Sequence, residues 1–274
     1  MRKKPTSVPS QEKNIKKAPK KASSRSIIAH FIEKVNTSRL RPLWITLFLL
    51  LWTFLSIISS QVLFYLIFSN LAKGFSNSVA LTALYDALCY SFSLFLLIFV
   101  PWKLFKKLKP SRESLGLKGL PTFVDLGLAP VGFLAYYFLA TLLTSFFTIF
   151  PWFNLEEAQN TGFDFLTSGG DYLITFFALV LVAPIAEELI FRGWLYGHLR
   201  EKLPKKVSLP LSIILVSVLF GFFHGQWNVG VNVFAMSLVL CGLREITGTV
   251  YSGIFLHIIK NALAFYLVYV LGLG

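Results

Sequence analysis

The chain has 274 residues, 55% of them hydrophobic and 16% aromatic, and only 14% are charged. That composition, falling into apolar blocks of about twenty residues between short polar connections, excludes an ordinary soluble domain and specifies an all-α, polytopic helical membrane protein, not a barrel of alternating strands. The net charge of +13 does not make a nucleic-acid binder, because residues 1–42 hold twelve Lys and Arg, 103–118 six and 200–206 four, whereas Ser69–Ser78 has only Lys73 and Pro151–Asp171 has four acids and no base.

This alternation is the positive-inside pattern: the basic segments are cytosolic and lie against an anionic leaflet of the lipid bilayer. In chain order, residues 1–42 form a basic, largely disordered cytosolic tail, since residues 1–26, rich in Lys, Ser and Pro, bury too little apolar surface to offset chain entropy. Ile27–Val35 is weakly amphipathic and reads equally as a surface helix or a linker. Residues 43–274 form the membrane domain. The first apolar block starts late and runs about twenty-six residues, too long for a cleaved signal peptide.

Seven spans are expected: Leu43–Phe68, Val79–Trp102, Phe123–Phe150, Tyr172–Leu199, Val207–His224, Val229–Leu243 and Thr249–Leu273. The N-terminus is then cytosolic in the cytoplasmic membrane. The sixth span, at about 1.5 Å per residue, is short for the bilayer core, so a helix that is tilted, partly buried in protein or re-entrant is expected there, and the third and fourth are long enough to tilt. Cys89 and Cys241 fall inside spans without ligand spacing and read as small apolar residues.

Polar residues inside such spans are expensive and generally face a cavity or a partner. The fourth span carries Glu187, Glu188 and Arg192, followed by Gly193. Glu188 and Arg192 are four apart with the acid toward the N-terminus, so they pair on one face. Glu187 lies about 100° around the helix, has no cation in its own segment, and is the candidate base. Pro184 removes a backbone donor just before it and is expected to kink the helix or open a cavity. The fifth span ends with His224, one turn after Phe220. In the seventh, His257 and Asn261 are four apart and share a face. A lone intramembrane His is often only an interhelical hydrogen-bonder. Asp86, Lys260, Arg244, Glu245, Asn228 and Asn232 read as packing, snorkelling or capping residues.

The segments EELIFRG (187–193), FGFFH (220–224) and HIIKN (257–261) resemble, in order and spacing, the EExxxR, FxxxH and HxxxN/D signatures of the CAAX protease and bacteriocin-processing family of intramembrane proteases. The resemblance covers about Leu115–Gly274. It implies a membrane endopeptidase acting on membrane-associated peptides or proteins, in prenyl-protein trimming, bacteriocin immunity, peptide maturation or regulatory proteolysis. It implies as site residues Glu187, Glu188, Arg192, His224, His257 and Asn261. Chemically, Glu187 with His224 would deprotonate water while His257 and Asn261 donate to the oxyanion, and Glu188 and Arg192 would hold the site. The family is often classed with metalloproteases, and Glu187, His224 and His257 are the candidate zinc ligands. Without an HExxH, the favoured expectation is catalysis with no cofactor, zinc being the alternative. A non-enzymatic membrane scaffold or immunity protein binding a partner membrane protein is the competing functional class. A proton-coupled transporter would also use buried Glu and His, but no pair of interrupted helices in related halves supports it.

Overall fold

The computed structural model describes residues 41–71, 75–104, 108, 110–163 and 166–273. The basic tail up to Leu40, including the expected disordered stretch and Ile27–Val35, lies outside them. Among the described residues seven helices are long and apolar enough to cross a membrane, and there is no strand. They are α1 (Arg41–Leu71), α2 (Val79–Leu104), α3 (Phe123–Phe147), α4 (Gly169–Lys202), α5 (Lys205–Phe222), α6 (Trp227–Thr247) and α7 (Tyr251–Val270).

Local sequence sets two of the starts firmly. The hydroxyls of Thr122 and Ser168 accept from the backbone N–H groups of Asp125 and Asp171, whose carboxylates accept from the cap N–H groups in return. These capping boxes start α3 and α4. The buried face of α3 is Asp125, Ala129, Gly132, Tyr136 and Ala140, at spacings of three and four. Its opposite face exposes Val131, Leu134 and Phe138. Small and polar residues pointing inward with large apolar ones outward is the packing of a helix against protein on one side and lipid on the other. Inward, Tyr136 donates to Asn232 Oδ1 of α6 at 2.7 Å, and Asp125 accepts from Ser252 of α7 at 2.8 Å. Helices α1 and α2 are antiparallel neighbours: Trp52 Nε1 donates to Leu96 O and Tyr85 Oη to Gln61 O, both at 3.3 Å.

The sixth span differs from expectation. Helix α6 has 21 residues, about 30 Å at 1.5 Å per residue, enough to cross the core. Asn228, Arg244 and Glu245, which bounded the apolar run, stay helical because each has a partner. Asn228 Nδ2 donates to Glu157 O at 2.7 Å, Arg244 donates to Glu113 O at 3.3 Å, and Glu245 pairs with Arg200. The fifth span is displaced from expectation by two residues at the same length: α5 runs from Lys205 to Phe222, and His224 sits on the turn beyond it.

Two distinct ends result. At the basic end, the segment 110–122 lies on α4, α6 and α7: Val250 N–H donates to Gly116 O at 3.0 Å, and Tyr251 Oη to Gly119 O at 2.9 Å. A Cβ on Gly197 would fall 2.2 Å from Ser114 O, and one on Gly193 3.0 Å from Leu115 O. The glycines of α4 are therefore what lets this backbone lie against the helix. At the acidic end, the 148–168 connection is tied to the α5–α6 turn, where Gln226 Nε2 donates to Ala158 O at 2.9 Å, and to α7 through the hydroxyls of Thr161 and Tyr269.

Candidate active site

Helix α4 is not regular around its acidic residues. Phe177–Val182 and Leu189–Tyr196 are π-helical turns flanking the α-helical stretch Ala183–Glu188. In the first, Ala183 N–H donates to Ala178 O, five residues back. The next residue is Pro184, which has no N–H to give to Leu179 O in that register. Asn261 Nδ2 from α7 supplies the missing donor at 2.8 Å. One amide hydrogen of Asn261 therefore holds the irregular turn in place, and the rest of its carboxamide faces the cavity described below.

Glu187 and Glu188, adjacent in sequence, have opposite surroundings. Glu188 is fully buried, as is Arg192, whose guanidinium donates to Glu188 Oε1 at 2.8 Å. The same oxygen lies 3.2 Å from His257 Nδ1, and a Cβ on Gly253 would come within 2.9 Å of Oε2. Glu188 is thus locked by a cation, an imidazole and a close backbone. Glu187 retains 16% side-chain exposure. It accepts from Tyr90 Oη at 2.6 Å, and its other oxygen stands 3.8 Å from His257 Nε2, a gap one water can bridge. His257, buried at 3% exposure, therefore spans the two carboxylates, one at each ring nitrogen.

His224 Nδ1 is 2.9 Å from Phe220 O. A carbonyl only accepts, so Nδ1 carries hydrogen and Nε2 is left to the cavity. Phe220 is the shared platform: its ring centre lies 4.3 Å from the Arg192 guanidinium carbon, 5.0 Å from the His224 ring and 6.1 Å from the His257 ring.

These groups meet in a cavity of about 580 Å³ that Glu187, His224, His257 and Asn261 all line. Glu188 and Arg192 lie behind that wall. Asp86 and Lys260, expected to pack or snorkel, line the cavity as well, because α2 and α7 turn these positions inward. Tyr90 was not singled out in the sequence. The signal was nevertheless present: Asp86, Tyr90 and Ser93 fall at i, i+4 and i+7 in an otherwise apolar span, one polar stripe on one face. Asn232 accepts from Tyr136 outside the site, in keeping with a packing role.

As a zinc site, Glu187, His224 and His257 would offer one carboxylate and two Nε2 atoms. Among the described residues no three His, Cys, Asp or Glu groups lie together closely enough to hold a metal ion, and Glu187 Oε1 is already held by Tyr90. The side chains as placed do not fit a resident ion.

Residues 169–263, about a third of the chain, match the family model described as type II CAAX prenyl endopeptidase, Rce1-like. No curated protein and no solved structure gives a significant match. The matched segment holds all six residues of the three sequence signatures, so over residues 169–263 the chain is similar to the type II CAAX prenyl endopeptidases of the Rce1-like family.

Proposed function

We propose that the chain is an intramembrane endopeptidase of the cytoplasmic membrane, N-terminus in the cytosol, which cleaves peptide bonds of membrane-associated peptides or proteins with water activated by Glu187. The observation that carries this reading is the division of labour between the paired acids: Glu188 is sealed and neutralised by Arg192, while Glu187 faces the cavity, accepting from the Tyr90 hydroxyl and standing 3.8 Å from His257 Nε2.

In this mechanism Glu187 takes a proton from a water that His224 Nε2 helps orient. The water oxygen bonds to the scissile carbonyl carbon, and the carbonyl π electrons move to its oxygen. His257, when Nε2 carries a proton, and the free amide hydrogen of Asn261 donate to that oxyanion. Collapse breaks the C–N bond, and the proton held by Glu187 passes to the leaving amine. Fixed donors are worth more in such a cavity than in water, because the low dielectric strengthens each contact and no solvent has to reorganise.

Replacing Glu187 by Gln tests the proposal, since the amide oxygen still accepts from Tyr90 while the base is gone. A variant that reaches normal levels in the membrane but loses cleavage supports hydrolysis. Full retention of the biological effect overturns it and leaves a binding scaffold. Cleavage that persists in strong chelator fits the metal-free reading, whereas loss on chelation with specific restoration by zinc replaces it.

A further inference from the structure

The cavity is asymmetric along the bundle. From Glu187 its lining continues to Ala83, near the start of α2, and to Gln159 and Asn160 in the 148–168 connection, both exposed. In the other direction it stops. No residue of the 110–122 segment, of α4 after Phe191, or of α7 before His257 lines it. That depth is filled instead by Arg192, Trp194, Leu195, Leu199, Met236 and Leu240, all at 0% exposure. The cavity is a well whose mouth is at the acidic end and whose floor is a dry plug about midway through the bundle.

The charges assign sides to these ends. Residues 1–42, 103–118 and 200–206 together hold twenty-two of the twenty-six Lys and Arg. Along the sequence, the stretches 69–78 and 151–171 hold Lys73 alone against Glu156, Glu157, Asp164 and Asp171. Short basic connections stay in the cytosol. We infer that the mouth opens on the extracytosolic side, so that the site takes peptides or juxtamembrane segments presented from that side rather than a cytosolic C-terminus. The carboxamides of Gln61, Gln159 and Asn160 along the lining suit this substrate class, because each can both donate to and accept from a peptide backbone. The word substrate rests on the protease reading above. The sidedness does not.

Single cysteines introduced into a Cys89→Ala, Cys241→Ala background, probed with a membrane-impermeant sulfonated maleimide on intact and on permeabilised cells, test the inference. Gln159→Cys at the mouth and Ala83→Cys on the wall are expected to label in intact cells, and exposed Lys206→Cys only after permeabilisation. Labelling of Lys206→Cys in intact cells with the other two protected reverses the orientation and overturns the inference. Labelling at 159 with no reaction at 83 overturns it too, because the well is then not reached from that face. The same pattern is expected when Glu187→Gln is added. Expected labelling with undiminished cleavage in Glu187→Gln removes the enzyme reading and keeps the sidedness. Reversed labelling with lost cleavage does the opposite.

Discussion

Glu187 and Glu188 differ by one position and about 100° of helix, and that rotation decides their chemistry. The pairing of Glu188 with Arg192 was legible from their spacing alone, because i, i+4 geometry is set by the helix. What neutralises a buried carboxylate also makes the pair costly to break: Arg192→Ala leaves Glu188 at 0% exposure without its cation. A loss of about 3–5 kcal/mol is expected, read as a large fall in thermal stability in detergent. Tyr90 could not be paired with Glu187 from sequence, since the two are 97 residues apart and no local rule aligns α2 with α4. Tyr90 acts through Glu187 as a positioning residue. Tyr90→Phe removes a hydrogen bond to a charged group, worth about 1.5–3 kcal/mol. The account expects kcat to fall roughly 10- to 100-fold with KM little changed. A raised KM at constant kcat would show that Tyr90 binds substrate instead.

At the scale of the element, α4 carries the site because it is irregular. Pro184 was visible in the sequence as a break, but its consequence depended on α7, which supplies Asn261 to Leu179 O. Asn261→Leu leaves that carbonyl unpaired in a largely apolar setting, at a cost of about 1–3 kcal/mol, and loosens the turn that precedes Glu187. Lower melting temperature together with lower activity is expected, and activity lost at unchanged stability would point to the oxyanion role alone. The glycines of α4 do a different job. A Cβ on Gly197 would meet the Ser114 carbonyl, so Gly197→Ala must push the 110–122 segment away, at about 1–3 kcal/mol. Gly242→Ala, which meets nothing within 4 Å, serves as the control and is expected to leave the melting temperature unchanged or raise it. The length of α6 was misjudged from hydropathy, which stops at Asn228 and Arg244. Their partners, Glu157 O and Glu113 O, come from connections whose path no periodicity reveals.

For the whole molecule, the count and order of the helices could be read from apolar run lengths, since every crossing segment must satisfy its own backbone and shed charge. From the residues alone the site was legible as three separate polar clusters, and only the family resemblance joined them into one. Their convergence required α5, with its terminal turn, and α7 to pack on α4 around Phe220, and hydropathy carries no information on neighbours. The same packing admitted Asp86 and Lys260 to the cavity. Its volume, about 580 Å³, falls in the usual range for a site that encloses a small ligand or a short stretch of chain. The most direct test of the central claim is mass spectrometry of newly formed peptide termini in membranes and medium, comparing cells that carry wild-type chain with cells that carry equal amounts of Glu187→Gln. The account predicts a discrete set of termini that falls at least about 100-fold in the variant, the scale of a lost general base. An identical set of termini in both would contradict it.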